Sequence, residues 1–308
     1  MNRRQFLGNA IAATAVSNLL AQPQPELPWG NPVLDVHFHT RPTPEADIAH
    51  LDGAGIRMAV LLTPAQAVAR TAAAIAKYPG RFVMFTSVNV TQPDAIEILK
   101  KTGAAGTKGF GELKTPDIAI DSPEMRRVYE LAAEMQLPVL MHFQDYPSKP
   151  DGHDVFNTGI VRLPAILKAY PKTTFIGHGN SFWANISADV PPVSYPTGPI
   201  KAGGLTDKIL SDYPNLYGDL SANSGRNSLA RDTEFAAGFL ARHQDKLMLG
   251  SDCPCTDGHG TGQVSQEPLI KGKCVARETL TALKRLTPPE RFRKITWENG
   301  VKLLKISV

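Results

Sequence analysis

Histidines and one aspartate recur in this sequence directly after short apolar runs. The first group is a His-x-His pair, His37 and His39, which ends the run Val33–His39. Residues two apart on a strand point to the same side, so both imidazoles can meet one cation. Three later apolar runs are closed by His142, His178 and Asp252. Neutral imidazole together with carboxylate suits zinc, manganese, iron or another divalent transition metal.

A glycine-rich run, Thr107–Leu113, offers two further candidates for the same site. Lys108 and Glu112 share parity, so both face one side of a strand. Glu112 lies near the end of its run, as the other predicted ligands do, whereas Lys108 lies near the start. The pattern therefore favours Glu112 over Lys108. A supporting role beside the ligands, or a salt bridge with Lys114, is the alternative for Glu112.

The apolar runs alternate with amphipathic stretches. Eight runs are predicted as strands: Val33–His39, Arg57–Leu62, Phe82–Val88, Thr107–Leu113, Val139–Phe143, Thr174–Gly177, Leu216–Leu220 and Leu247–Gly250. Helices are predicted at Glu45–Asp52, Ala65–Lys77, Pro93–Lys101, Pro123–Met135 (capped by Ser122), Gly159–Ala169, Leu229–Arg242 and Ala276–Leu286. This alternation implies parallel strands joined by right-handed crossovers.

Eight such units predict an α/β fold of the closed (β/α)8 type, a TIM barrel. An open doubly wound sheet would give the same alternation, so the position of the polar residues decides. In a barrel the carboxyl ends of the strands converge on one mouth, where active sites lie. The predicted ligands all fall at such ends, which favours the barrel. The extended stretches 143–157, 181–204 and 253–273 would form loops over the mouth and set specificity, which the sequence does not reveal.

Length and composition agree with one enzyme-sized domain. The chain has 308 residues, and a barrel of this type takes about 250. Hydrophobic residues make up 42% and charged residues 20%, with a formal net charge of +4. No run of Lys or Arg indicates a nucleic-acid or membrane-surface patch. We therefore expect a small-molecule partner, with a homo-oligomer left open.

The first residues form a separate segment. Arg3-Arg4-Gln5-Phe6-Leu7 precedes a mildly apolar, Ala-rich stretch and then Gln22-Pro23-Gln24-Pro25. This order resembles a twin-arginine export signal, and the apolar part is too short to span a bilayer stably. We expect a signal peptide at 1–21, a linker at 22–31, a barrel domain at 32–308 and a periplasmic or extracellular location.

The three cysteines of the chain are Cys253, Cys255 and Cys274. An odd, low count argues against a disulfide scaffold. One residue separates Cys253 from Cys255, whereas zinc knuckles usually have two or more between their cysteines. We interpret this pair as small residues at the end of a strand.

As a whole the pattern resembles the amidohydrolase superfamily, and more closely its amidohydrolase-related branch. The resemblance covers residues 32–306. It rests on Asp35-Val36-His37-Phe38-His39, Met141-His142, Gly177-His178-Gly179, Gly250-Ser251-Asp252 and the closing stretch 297–304. Many members bridge two metals with a carboxylated lysine on the fourth strand, and others use a glutamate. Gly109-Phe110-Gly111-Glu112-Leu113 is similar to the latter.

This resemblance implies a metal-dependent hydrolase with one or two ions, for which zinc is expected. It assigns the metal ligands to His37, His39, Glu112, His142, His178 and Asp252. Asp252 would accept the proton of the attacking water and later deliver it to the leaving group. His178 would bind metal or stabilise the oxyanion, and His142 would be a ligand or an orienting residue. Weaker substrate-binding candidates are Arg41, Asn180, Trp183 and Asp219. The alternative is a surface role for Arg41, packing for Asn180 and Trp183, and contact with a neighbouring ligand for Asp219.

Hydrolysis of an amide, lactone or ester bond in a small molecule is the leading functional hypothesis. A non-oxidative decarboxylase of an aromatic or muconate-like acid is the alternative, because members of the same branch use a similar ligand set. A metal-bridging Glu112 favours hydrolysis, since those decarboxylases resemble single-metal sites. A phosphoesterase and an inactive binding protein are more distant alternatives.

Overall fold

The computed structural model describes residues 27–147, 154–191, 193, 195–263, 265 and 270–307. The predicted signal peptide at 1–21 and the first half of the predicted linker, 22–26, lie outside these residues. None of the described helices is long and apolar enough to cross a membrane.

Eight strands form a single sheet in sequential order, and every neighbouring pair is parallel. They are β1 (Leu34–His39), β2 (Met58–Pro64), β3 (Phe82–Ser87), β4 (Phe110–Leu113), β5 (Val139–His142), β6 (Phe175–His178), β7 (Leu216–Asp219) and β8 (Leu247–Met248). The Val36 amide donates to the Leu249 carbonyl at 2.9 Å, which brings the first strand against the last. The sheet is therefore a nearly closed barrel, and the predicted (β/α)8 fold is confirmed.

Helices follow the strands and cover the barrel. They are α1 (Pro44–Ala54), α2 (Val68–Lys77), α3 (Ala95–Ala104), α4 (Pro123–Met135), α5 (Leu163–Ala169), α6 (Asn180–Ala184), α7 (Leu205–Asp212), α8 (Ala222–Ala230), α9 (Thr233–Arg242), α10 (Val275–Leu286), α11 (Pro289–Arg293) and α12 (Asn299–Leu303). Ser122 caps α4 as predicted, since its hydroxyl accepts from the Met125 amide at 3.2 Å.

Apolar side chains divide into two clusters. The larger lies between the strands and the surrounding helices. The smaller fills the barrel and contains Leu34, Val36, Met58, Val60, Leu62, Phe85, Leu140, Ile176, Met248 and Leu304. Trp297, Val301 and Leu303 pack against it. The C-terminal segment thus closes the end of the barrel where the strands begin, which leaves the opposite end free for a site.

Two predicted elements differ from the structure. The predicted fourth strand begins at Thr107, but β4 begins only at Phe110, because the Lys108 amide donates to Met84 before the regular ladder starts. The predicted helix Leu229–Arg242 covers the last two residues of α8, which begins at Ala222, and all of α9. Asp232 separates them, since its carboxylate accepts from the Phe235 amide and caps α9.

Candidate metal centre

The carboxyl ends of four strands bring five of the predicted ligands together. β1 supplies His37 and His39, while β4, β5 and β6 supply Glu112, His142 and His178. Asp252 joins them from the segment after β8. These residues form three overlapping groups, and within each group the ligand atoms lie within 4.8 Å of one another. The groups are His37, His39 and Glu112; His37, His178 and Asp252; and Glu112, His142 and His178.

Glu112 lies in the middle of this cluster, and its two oxygens face different histidines. Oε2 lies 3.4 Å from Nε2 of His39 and 3.9 Å from Nε2 of His37. Oε1 lies 2.6 Å from Nδ1 of His142 and 3.5 Å from Nε2 of His178. The carboxylate is therefore placed between two pairs of imidazoles.

The Nδ1 atoms of His37 and His178 face away from Glu112 and have partners behind the site. Nδ1 of His37 lies 2.6 Å from Oδ2 of Asp219, and Nδ1 of His178 lies 2.6 Å from Oγ of Ser221. The Ser221 hydroxyl donates to Asp219 at 2.9 Å, so its oxygen accepts from His178. These contacts place the protons on Nδ1 and leave both Nε2 atoms as lone-pair donors.

Both Nε2 atoms are buried and make no hydrogen bond within the described residues. A buried imidazole nitrogen without a partner is costly in free energy, and a metal ion removes that cost.

The backbone at Gly250 passes close to Asp219 and His37. A Cβ on Gly250 would lie 2.0 Å from Oδ1 of Asp219 and 2.7 Å from Cβ of His37. Only glycine fits at this position.

The charge of the cluster favours a cation. Burial alone lowers the pKa of His37, but the nearby carboxylates Asp219, Asp252 and Glu112 outweigh it and raise that pKa to about 10. Burial raises the pKa of Glu112, whereas the charge of His142 and further histidine contacts hold it well below its usual range. The carboxylates thus stabilise added positive charge at His37, whereas burial and the charges of His37 and His142 hold the pKa of His178 well below its usual range, which keeps that imidazole neutral. The imidazole and carboxylate donors of the site fit a divalent transition metal.

Asp252 stands at the edge of the cluster, where solvent can reach it. Its side chain is 30% exposed, against 5% for Glu112, and its Oδ1 lies 3.4 Å from Nε2 of His39. The backbone of Asp252 has a φ of 45°, and its amide donates to the His37 carbonyl at 2.9 Å. A non-glycine residue in this region carries strain, which the contact with β1 helps to hold.

Two cavities open beside the cluster, with volumes of about 420 and about 300 Å³. The smaller one is lined by Lys114, His142, Gln144, His178, Asn180, Tyr195, Ala222, Asn223, Ser224, Asp252, Pro254, Gln263, Ser265 and Val275. Lys114 lines both, and it is the one Lys or Arg among the described lining residues. The wall is largely polar, and it offers a single positive charge for a substrate.

The other candidates from the sequence, Lys108, Asn180 and Asp219, occupy different positions relative to the metal cluster. Lys108 points away from the centre, with its ammonium 3.5 Å from the Lys305 carbonyl at the other end of the barrel. The choice of Glu112 over Lys108 therefore agrees with the geometry. Asn180 lines the cavity and donates to Gln144 at 3.3 Å. Asp219 is fully buried behind His37 and cannot reach a substrate, which leaves contact with a ligand as its role.

The prediction that Arg41 and Trp183 bind substrate is corrected, because neither residue lines these cavities. The Arg41 guanidinium donates to the Cys253 and Cys255 carbonyls at 2.9 and 2.8 Å, which engages it within the protein. Trp183 is 2% exposed, and its indole donates to the Asp219 carbonyl at 2.9 Å. Its packing alternative is the one that the structure shows.

Sequence reasoning missed the supporting residues Ser221 and Gln144. Ser221 follows Asp219 by two positions, the same spacing as between His37 and His39. This spacing at the end of a strand is the signal in the sequence that could have indicated Ser221. Gln144 likewise follows His142 by two positions, and its Oε1 lies 3.2 Å from Nε2 of His142.

Comparison with known proteins gives a family match over almost the whole chain. The model of the amidohydrolase family matches residues 20–306. A search of curated proteins found no match.

Solved structures share the fold at low sequence identity. A probable 2-pyrone-4,6-dicarboxylic acid hydrolase from Acinetobacter baumannii, with citric acid bound, is 18% identical with a TM-score of 0.59, covering 90% of this chain and 100% of that one. 2,6-Dihydroxybenzoate decarboxylase from Rhizobium is 16% identical with a TM-score of 0.53, covering 90% and 99%. A 5-carboxyvanillate decarboxylase from Novosphingobium aromaticivorans, with bound manganese, is 17% identical with a TM-score of 0.55, covering 84% and 80%.

Proposed function

This chain belongs to the amidohydrolase family, and we propose that it is a metal-dependent hydrolase that cleaves an ester, lactone or amide bond of a small molecule. One observation carries the proposal. The two oxygens of Glu112 face separate pairs of imidazoles, Oε2 toward His37 and His39 and Oε1 toward His142 and His178. A carboxylate in this position suits two ions held side by side, as in two-metal hydrolases.

In this proposal the ligands are His37, His39, Glu112, His142, His178 and Asp252, and zinc is the metal. A divalent ion held by these residues would supply Lewis-acid chemistry, namely a more acidic water molecule and a polarised scissile carbonyl. His178 acts as a ligand and not as an oxyanion donor, because its Nδ1 carries the proton shared with Ser221. Asp219 and Ser221 orient the ligands from behind.

Asp252 is the proposed general base. Its side chain is 30% exposed, whereas that of Glu112 is only 5% exposed, and it lines the smaller cavity. Its carboxylate takes the proton of the attacking water and passes that proton to the leaving oxygen or nitrogen. We expect Asp252→Asn to lower kcat by about 10²- to 10⁴-fold, the usual contribution of a positioned acid–base group. Steady-state kinetics on an identified substrate checks this, and an unchanged kcat would remove Asp252 from the role.

A decarboxylase is the second candidate, and one contact favours it. Nδ1 of His142 lies 2.6 Å from Oε1 of Glu112. Nε2 of His142 lies 3.2 Å from Oε1 of Gln144, so if both contacts persist neither ring nitrogen of His142 is free for a metal. One ion would then be held by His37, His39, His178 and Asp252. The aromatic-acid decarboxylases with this fold make such a reaction a natural comparison.

The fate of the solvent oxygen separates the two candidates. We would incubate the metal-loaded protein in ¹⁸O-labelled water with lactones, esters, amides and aromatic carboxylic acids, and analyse the products by mass spectrometry. A hydrolase places ¹⁸O in the new carboxyl group and releases no carbon dioxide. Release of carbon dioxide from an aromatic acid, without ¹⁸O in the aromatic product, would replace the hydrolase proposal with the decarboxylase.

We also propose that the chain is exported through the twin-arginine route, on the basis of Arg3-Arg4 and the Ala-rich stretch that follows. Cell fractionation should find the wild-type chain outside the cytoplasm and the Arg3→Lys, Arg4→Lys double variant inside. Equal distribution of the two would exclude this route.

A further inference from the structure

A second cluster of metal-binding side chains lies outside the site described above. His50, Cys253, Cys255 and Cys274 are all buried, and one ligand atom from each lies within 4.8 Å of the others. We propose that these four residues bind a structural zinc ion, separate from the catalytic centre. The proposal does not depend on the function proposed for the catalytic centre.

The distances between the sulfurs agree with metal binding. Sγ of Cys253 lies 3.4 Å from Sγ of Cys255 and 3.5 Å from Sγ of Cys274. A tetrahedral zinc with Zn–S bonds of about 2.3 Å holds its sulfurs about 3.8 Å apart. Three cysteines and one histidine form one of the ordinary structural zinc sets. Small shifts of the side chains would complete the coordination.

The imidazole of His50 provides a second, independent observation. His50 is fully buried, and its Nδ1 lies 3.6 Å from Sγ of Cys255 and 2.9 Å from the carbonyl of the same residue. Its Nε2 is buried with no hydrogen-bond partner among the residues that the structure describes. Nδ1 is the nitrogen placed beside Cys255, so zinc would bind there in exchange for the carbonyl contact, and the imidazole proton would lie on Nε2.

The surroundings also balance the charge. Three thiolates and a neutral imidazole around a divalent ion leave one net negative charge. The Arg41 guanidinium donates to the carbonyls of Cys253 and Cys255, which places a permanent positive charge beside the ligands. This role explains why the half-buried Arg41 is engaged within the protein and does not line the substrate cavity.

The four ligands join three separate segments. His50 is on α1, Cys253 and Cys255 follow β8, and Cys274 is the residue that precedes α10. The loop between these cysteines packs directly on α1, since a Cβ at Gly258 would lie 2.4 Å from the His50 carbonyl. Cys253 is also the neighbour of Asp252. The zinc would therefore hold in place the loop that carries the proposed general base.

Cobalt substitution tests the site without any substrate, because thiolate ligands give Co²⁺ an intense near-ultraviolet charge-transfer absorption that histidine and carboxylate ligands do not. We expect cobalt-loaded wild-type protein to show this band and to lose it in Cys274→Ser. The His37→Gln, His39→Gln double variant should keep it. His259→Gln, an exposed histidine of the same loop, is the matched control and should also keep it.

Metal analysis of zinc-loaded protein completes the experiment. Cys274→Ser should contain one ion per chain fewer than the wild type. If Cys274→Ser fails to fold, thiol titration of native wild-type protein replaces it: the three thiols should be protected with zinc and reactive after chelation. Absence of the thiolate–cobalt band, or a disulfide between any two cysteines in non-reduced protein, would overturn the proposal. A failure of the hydrolase assay would leave these results unaffected.

Discussion

At the scale of single residues, the supporting side chains decide what the ligands can do. Asp219 and Ser221 engage Nδ1 of His37 and of His178, and this directs both Nε2 atoms toward Glu112. The same two residues are linked to each other by a hydrogen bond. The orientation of both imidazoles therefore depends on one buried carboxylate, Asp219.

We expect Asp219→Asn to weaken metal binding by about 10- to 100-fold, the usual effect of losing a partner behind a histidine ligand. The amide no longer supplies the negative charge that keeps the His37 proton on Nδ1. Competition with a fluorescent chelator measures the affinity. The exposed Asp212→Asn is the control, and equal affinities for both variants would contradict this role of Asp219.

Lys114 gives a prediction about the substrate. As the one Lys or Arg among the described cavity residues, it is the natural partner of an anionic substrate group. Hydrogen bonds to charged groups contribute about 1.5–3 kcal/mol. We therefore expect Lys114→Met to raise KM by about 10- to 100-fold for a carboxylated substrate. Lys108→Met, at the other end of the barrel, should leave KM unchanged.

A comparison of KM for charged and neutral analogues completes that test. If Lys114→Met affects both equally, the lysine does not recognise the anionic group.

The sequence predicted the residues that end apolar runs but not those that act through a neighbour. His37, His39, Glu112, His142, His178 and Asp252 carry a spacing signal, because strand ends repeat along the chain. His50 does not. It is one histidine on a helix, and only the folding of that helix against the loop after β8 brings it to Cys255. Contacts of this kind are properties of the tertiary structure.

At the scale of elements, the break between α8 and α9 shows how one polar residue overrides a helical pattern. Asp232 accepts from the Phe235 amide and from the Ile200 amide, each at 3.0 Å. It therefore starts α9 and ties that helix to the long connection before α7. A continuous helix, as predicted for Leu229–Arg242, would leave this carboxylate without its cap contact.

The cap makes a stability prediction. We expect Asp232→Ala to lower the free energy of unfolding by about 1–2 kcal/mol, because it removes a helix cap and a second backbone contact. Urea denaturation followed by circular dichroism measures the change. Glu234→Ala, exposed in the first turn of α9, should stay within about 0.5 kcal/mol of the wild type. A similar loss in both variants would assign the effect to first-turn charge instead of the cap.

Helices without apolar periodicity, such as α8, are the elements that the sequence predicts least well. α8 has the sequence Ala-Asn-Ser-Gly-Arg-Asn-Ser-Leu-Ala, and it is mostly buried although it is polar. Packing against neighbouring helices stabilises it more than its own propensity does. Strands, by contrast, were located to within a few residues, since their apolar runs are bounded by glycine, proline and polar residues.

At the scale of the whole molecule, the C-terminal segment completes the barrel. The Asn299 amide donates to the carbonyls of Gln244 and Leu247, both at 2.7 Å. These contacts fix α12 beneath β8, where Leu304 enters the inner apolar cluster. The strand that precedes Asp252 is therefore anchored from the end of the barrel opposite the site.

We expect Asn299→Ala to destabilise the fold by about 1–3 kcal/mol, since the buried Leu247 carbonyl loses its donor and the partly buried Gln244 carbonyl adds little. Thermal unfolding monitored by calorimetry gives the change in Tm. Lys302→Ala, exposed on the same helix, serves as control and should change Tm little. A negligible effect of Asn299→Ala would mean that the segment is held by apolar packing alone.

The pairing of β1 with the chain after β8 also fixes when the site can form during synthesis. The Ser251 amide donates to Asp35 across 216 positions of sequence, and the Asp252 amide donates to His37. A ribosome must therefore translate the chain as far as residue 252 before these contacts can form. A nascent chain carries the His-x-His pair early but gains the last of the proposed ligands only then. We expect polypeptides cut short by a premature stop codon before residue 252 to be catalytically inert, however well their early strands pair.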